Sequence, residues 1–242
     1  MIWIEKSENE PPLLKRFLKE IPKDEQKYAG LGSFPPDDEK KADDEIRAHL
    51  AEEQGFLCAY CMKRIDESLR IEHYIPQNYA ENPDLGKELS VKFKNMLGVC
   101  TGEVFFHSDK KNEPHCEKVR GNKPLHISPM RKNHIDEIKY DRNGKIFSDN
   151  ILFEGDLNET LNLNIDLLKR NRIEKWEGVK SAFERQKQGK KAWLEKELEK
   201  WKSKILVGDK HKYREYCGIV IYFLEKELQK AKKSENKFRS EQ

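Results

Sequence analysis

Cys58-Ala59-Tyr60-Cys61, followed by Leu69-Arg70-Ile71-Glu72-His73-Tyr74-Ile75-Pro76, is the stretch on which the reading of this chain turns. Two thiolates two residues apart can grip one zinc ion from a tight turn. Cys100 and Cys116 are the candidates to complete a roughly tetrahedral S4 site. The fifth cysteine, Cys217, sits in an apolar stretch before Ile219 and reads as an inert core thiol. A zinc so placed holds structure, and the chemistry falls to Glu72 and His73. The carboxylate is a hard ligand for a divalent cation, and the imidazole can take a proton from water near neutral pH. Strict strand alternation sends these two neighbours to opposite faces, so both address one site only if the strand twists or ends before Pro76.

Outward from this stretch, Ala42 to Gln54 reads as a helix, with Asp43 and Asp44 in its first turn, Ile46 and Leu50 on one face, and Gly55 as its stop. Before it, Met1 to Ile4 is a short strand or anchored arm. Pro11 and Pro12 open a helix carrying Leu13, Leu14, Phe17, Leu18 and Ile21. Residues 22–40 form a loop from which Phe34 reaches the core. After Cys61, a small hairpin over Met62 to Tyr74 turns at Asp66 to Ser68. Residues 77–94 read as irregular, and Asn95-Met96-Leu97-Gly98-Val99-Cys100 brings the chain back to an apolar surface. The Asn95 amide, both donor and acceptor, is suited to position His73 or a bound water. A polar insertion at 101–114 carries Phe105, Phe106 and His107. Cys116 then opens a short helix that swings Glu117 toward Glu72 and His73. Leu125 to Met130 and the Asp141-Arg142-Asn143-Gly144 turn before Ile146 predict an extended hairpin closing the module.

Beyond about residue 160 the periodicity is helical. Asn164 is expected to cap a helix through Phe183, with breaks near Gly189 and before Tyr216, and a disordered lysine-rich tail from Lys230. Trp176, Phe183, Trp193 and Trp201 read as helical core. His49, His107, His126, His134 and His211 read as surface or hydrogen-bonded. The expected organisation is an N-terminal arm with helices over 1–57, a zinc-bearing module over 58–150 and a helical, partner-binding region over 151–242.

Composition sets limits. Of 242 residues 36% are hydrophobic and 38% charged, with 47 basic against 44 acidic side chains, and a net +3 is too small to argue nucleic-acid binding by itself. Five cysteines with a Cys-x-x-Cys pair and no signal-peptide pattern predict a metal in a reducing compartment, the cytoplasm, rather than a disulfide framework. No apolar run approaches a membrane span of about 20 residues, so no membrane partner is expected. There is no internal repeat and no glycine-rich phosphate loop.

The ordered set Cys58-x-x-Cys61, Ile71-Glu72-His73 with Pro76, Asn95-Met96-Leu97 with Cys100, and Cys116-Glu117 with Arg120-Gly121 resembles the zinc-bearing HNH (ββα-metal) endonucleases. Most of the chain is similar to the PtuB-type HNH nucleases of Septu anti-phage defence, also found as retron effectors. The further matches are the Met1 to Ile4 start, Gln54 to Cys58, Gly121 to Leu125, Leu161 to Asn164 with Leu168 and Arg172, and the helix from Tyr216 to Leu228. The resemblance implies an α+β fold with a zinc-stapled nuclease module flanked by helices and a mainly helical C-terminal region. It implies His73 as general base, Glu72 as ligand of a catalytic Mg²⁺ or Mn²⁺, Asn95 as the middle signature residue, Glu117 as the third, acidic here, and Arg120 as a phosphate contact. Cys58, Cys61, Cys100 and Cys116 would bind structural Zn²⁺, with His115 or His107 as substitutes should Cys116 not reach. The implied partners are nucleic acid, DNA by default, and an ABC/SMC-like ATPase of PtuA type. In retron systems, reverse transcriptase and its msDNA join through the complex, and RNA including tRNA becomes a substrate. A catalytically silent zinc module, binding nucleic acid or serving as adaptor to the ATPase, is the competing class.

Overall fold

The computed structural model describes residues 1–66, 69–103 and 113–240. Pro12 at the first helical position, where its missing N–H costs nothing, starts α1 (Pro12–Glu20), which buries Leu14 and Phe17. The segment expected to be a loop contains a 3-10 turn over Tyr28–Ser33, and Phe34 does reach the core, its ring 5.3 Å from Phe17 edge to face. Helix α2 (Ala42–Glu53) buries Ile46 and Leu50 against α1 and, with Val91, Phe93 and Met96, forms one of two buried clusters. Gly55 stops α2 at φ +57, where an L side chain is strained. An added Cβ there would also lie 2.4 Å from the Tyr213 ring.

Strand β1 (Arg70–His73) does not fold back on the segment before it. After α3 (Pro83–Leu89), it pairs antiparallel with β2 (Met96–Val99), setting Arg70 opposite Val99 and His73 opposite Met96. The predicted hairpin over 62–74 is therefore replaced by a longer-range pairing, with only a Leu57–Arg64 bridge left near the cysteine turn. Glu67 and Ser68 of its expected turn lie outside the described residues, as do Phe105, Phe106 and His107. The stretch expected to be irregular holds α3 because Asn82 caps it, accepting from the Leu85 N–H, and Pro83 pre-sets its first turn.

Short helices α4 (Glu117–Arg120) and α5 (Lys132–Asp136) precede a hairpin of β3 (Lys139–Tyr140) and β4 (Ile146–Phe147) around the predicted Asp141–Gly144 turn. It is a short one: Leu125 to Met130 stays outside it, and Pro129 instead accepts the Ile4 N–H, anchoring the N-terminal arm. Helix α6 (Ile151–Gly155) runs into a π-helical turn, and α7 (Asp166–Glu184), α8 (Lys190–Lys202) and α9 (Cys217–Ser240) follow. Asn164 does not cap α7; its amide holds the N–H and C=O of Ile146 instead. Gly189, left-handed at φ +65, separates α7 from α8 as expected. The lysine-rich tail continues α9 to Ser240, where disorder was expected. Between α8 and α9 the periodicity missed a hairpin of β5 (Ile205–Val207) and β6 (Lys210–Lys212).

The predicted tryptophan core holds: Trp176 stacks on Phe223 at 4.8 Å, and Trp201 and Leu194 are buried. These side chains belong to the same cluster as Leu57, Tyr60, Met62 and the four N-terminal cysteines, so the C-terminal helices pack directly on the cysteine turn. Backbone bonds from Tyr213 to Gly55 and from Tyr216 to Met62 fasten that contact. Among the described residues the result is a mixed α+β fold with three small antiparallel sheets and a largely helical C-terminal region. Among the described residues, no helix is long and apolar enough to cross a membrane.

Candidate metal centre and its surroundings

Cys58 and Cys61 leave one tight turn, closed by the Cys58 N–H on Lys63 and the Met62 N–H on Cys58. Cys100 follows directly after β2, and Cys116 stands at the start of α4. Their four Sγ atoms lie within 4.8 Å of one another, with Cys58–Cys116 at 3.9 Å and Cys61–Cys100 at 3.7 Å. A tetrahedral tetrathiolate with Zn–S bonds of about 2.3 Å has sulfurs roughly 3.8 Å apart, so the set fits zinc; disulfides, at about 2 Å, are absent. Contacts with Cys116, Cys58 and Cys61 hold the Cys100 thiol far below its usual range, while burial pushes Cys116 up. Four buried thiols this close are accommodated when a cation takes all of them as thiolates. Cys116 closes the cluster, and His115 lies behind it with Nε2 3.8 Å from Cys100 Sγ. Among the described residues this is the one group of three or more ligating side chains drawn together in that way.

Glu72 and His73 leave β1 toward different neighbours, as alternation requires. Glu72 accepts from the Tyr60 hydroxyl at 3.3 Å and pairs with Arg120 Nη1. Burial raises the Glu72 carboxyl, Arg120 pulls it back down, and Glu117 adds to the rise. Arg120 is turned fully inward. Its guanidinium also donates to Tyr60 Oη at 3.1 Å and to the carbonyls of His73, Tyr74 and Lys123, and its side chain is 0% exposed. A surface phosphate contact is thus not what this geometry offers; Arg120 clasps the end of β1. Glu117, in the first turn of α4, has Oε1 3.3 Å from Arg70, while its Oε2 is buried with no hydrogen-bond partner.

On the other face, His73 Nε2 is 2.8 Å from the Ser90 carbonyl. A carbonyl only accepts, so Nε2 carries the proton and Nδ1 keeps its lone pair, 3.3 Å from Gln77 Nε2. The Tyr28 ring meets the imidazole edge-on at 4.7 Å. Burial lowers the His73 pKa, with Ser90 opposing and Arg120 adding to the fall. Tyr28, Gln77 and Ser90 all line a groove of about 830 Å³ that also carries Lys23, Lys27 and Lys92. A hollow of about 980 Å³ beside α7 and α9 is lined by none of the predicted site residues.

Asn95 makes no bond to His73. Its Oδ1 accepts from the Ile75 N–H at 2.8 Å and its Nδ2 donates to the Ile75 and Leu89 carbonyls at 3.0 and 3.2 Å, fixing the chain just after His73. Sequence reasoning missed Gln54, whose buried amide donates to the Leu57 and Gly98 carbonyls at 2.8 and 2.7 Å and accepts the Gly98 N–H at 2.7 Å, joining α2 to β2. It also missed Tyr60, inside the Cys-x-x-Cys turn, and Gln77, one helical turn's spacing after His73, although only the latter spacing could have been noticed. Neither a protein-family model nor a curated protein matches the chain.

Proposed function

We propose that this chain is a metal-dependent HNH-type endonuclease that hydrolyses phosphodiester bonds of nucleic acid, DNA in the first place, as the cytoplasmic effector of an anti-phage defence system driven by an ABC/SMC-like ATPase. The observation that carries the reading is the meeting of β1 with the helix that begins at Cys116-Glu117, through Arg70–Glu117 and Glu72–Arg120, beside a four-cysteine cluster of zinc geometry. The partnerless buried Glu117 Oε2 is an acceptor awaiting a cation, and it shares the field of Glu72.

In this reading the Ser90 carbonyl fixes the His73 tautomer, and Nδ1 takes a proton from water once Gln77 moves aside. The water oxygen then forms a bond to phosphorus as the bond to the 3′ oxygen breaks. Asn95 and Arg120 act as positioning residues for the chain around His73. Glu72 and Glu117 would hold Mg²⁺ or Mn²⁺, which when bound offsets negative charge on the phosphoryl and leaving oxygens. The helical region 151–242 would be the surface offered to the ATPase. The commitment of Glu72 Oε1 to Arg120 and Tyr60, and the departure of Glu72 and His73 to opposite faces of β1, favour the second reading, a silent zinc module that binds nucleic acid or serves as an adaptor.

The test incubates the protein, with its ATPase and nucleotide, with plasmid DNA and total cellular RNA in Mg²⁺ or Mn²⁺, comparing wild type with His73→Ala. Products made by wild type alone establish the nuclease and choose the polymer. No His73-dependent product from folded, zinc-loaded protein replaces it with the adaptor reading.

A further inference from the structure

The turn after α1 and the end of α3 form the two walls of the groove beside His73. Gln26 holds the first wall, its amide donating to the Leu18 and Ile21 carbonyls at 2.9 and 2.8 Å, and Lys23 and Lys27 stand on it. Asn95 holds the second through the Leu89 carbonyl at 3.2 Å, which also accepts the Lys92 N–H at 3.1 Å, and Lys92 lines the groove there. Ser90 and Gln77, 2.8 and 3.3 Å from the His73 ring nitrogens, and Tyr28, its ring centroid 4.7 Å from the imidazole, line the same groove. Among the described residues no carboxylate lies within ion-pair distance of Lys23, Lys27 or Lys92. The fourth lysine of the lining, Lys87, is paired with Asp84 at 3.5 Å, and Asp24 and Glu88 are its other carboxylates.

Three cations without acidic partners, set on both walls of a groove of about 830 Å³, suit a ligand that carries negative charge at intervals along a chain, as the phosphates of a nucleic-acid backbone do. A net charge of +3 gives the molecule as a whole no such preference; a local cluster does. Arg120 does not supply the contact, being closed in its clasp with Glu72. On α9, Lys226 lies over the Tyr222 ring at 4.5 Å and Lys230 is paired with Glu227 at 2.6 Å. We infer that the groove seats the phosphodiester backbone of nucleic acid, with Lys23, Lys27 and Lys92 as its phosphate contacts, which brings a strand against the residues that cover His73. Asp24 and Glu88 then oppose binding and limit how tightly the strand is held. The inference rests on the nucleic-acid part of the proposed function and holds for the nuclease and for the silent binding module alike.

The experiment follows the binding of a short fluorescent DNA duplex, with a single-stranded RNA alongside, to the zinc-loaded full chain by anisotropy over a series of salt concentrations. Mg²⁺ and Mn²⁺ are left out so that no cleavage intervenes. The triple variant Lys23→Gln, Lys27→Gln, Lys92→Gln is expected to flatten the dependence of log affinity on log salt by about 0.9 for each lost contact with the duplex. Raising salt from about 50 to about 200 mM then weakens wild type about 40-fold more than the variant. Lys226→Gln, Lys230→Gln, Lys233→Gln removes the same charge from α9 and should leave the slope as it is. Asp24→Asn with Glu88→Gln should bind several-fold tighter at low salt, a gain that misfolding does not produce. An unchanged slope in the groove variant, an equal fall in the α9 variant, or no gain in the acidic pair overturns the inference, as does wild-type protein that binds neither polymer. Groove-dependent binding without His73-dependent cleavage removes the nuclease and leaves the groove standing.

Discussion

Replacing Arg120 with methionine separates a buried clasp from a surface phosphate contact. The guanidinium is completely buried, paired with a carboxylate that is itself only 10% exposed, and it also serves Tyr60 and three backbone carbonyls. Arg120→Met leaves Glu72 charged and buried without its cation, a loss of about 3–5 kcal/mol. For a chain of this size that lowers the melting temperature by roughly 6–20 °C, at about 2–4 °C per kcal/mol. Glu72→Gln should cost less, about 1–2 kcal/mol, because Arg120 keeps its carbonyl acceptors and because burial already disfavours the ionised carboxyl. The double variant Arg120→Met with Glu72→Met should recover about half of the Arg120→Met loss, since no orphan charge remains. The assay is thermal unfolding followed by far-UV circular dichroism with zinc in excess. A melting temperature for Arg120→Met within about 2 °C of wild type, in the range of an ordinary surface change, would refute the clasp.

Zinc removal by a strong chelator, or Cys58→Ser, should unfold the region around the cysteine turn, because structural zinc contributes about 10–16 kcal/mol against a total stability of about 5–15 kcal/mol; metal analysis and circular dichroism read it out. Retained secondary structure and melting in zinc-free protein would count against a structural site. In the nuclease reading, His73 works as the neutral base and burial lowers its pKa. Activity is therefore full above that value, falls as pH drops through it, and its acid limb lies below the ordinary value of about 6.5. An acid limb at or above that value in the pH–rate profile would contradict the geometry. Asn95→Asp removes two donors and should destabilise by about 2–3 kcal/mol in thermal or urea unfolding, whereas an Asn95 acting on a bound cation would accept the acid readily. Gly55→Ala, strained at φ +57 and crowded by Tyr213, should lower the melting temperature at unchanged zinc content, and an unchanged melting temperature would count against that contact.

Much of the candidate site was open to reading because its signals are local or chemical. Thiolates that form no disulfides and stand two residues apart announce a metal wherever the chain later brings their partners. So Cys58, Cys61, Cys100 and Cys116 could be grouped before any packing was known. The helices α1, α2, α7, α8 and α9 follow from apolar spacing and from Pro12, Gly55 and Gly189 acting within a few residues. Asn164 misled because an asparagine before a helix has the right local chemistry for a cap, and its amide was taken by Ile146, 18 residues away.

What the tertiary structure alone decided is where charge and hydrogen bonds go once water is excluded. The sequence by itself brought the four thiols together as a metal site and singled out Glu72, His73, Asn95, Glu117 and Arg120 as candidates for chemistry. It had no means of showing that Arg120 turns inward onto Glu72, that Asn95 grips Ile75, or that Ser90 anchors the His73 proton, since each contact joins β1 or the residues just after it to a segment distant in the chain. An arginine on a solvated surface and an arginine in a buried clasp have the same local sequence. The difference is desolvation, and desolvation is a property of the packed chain.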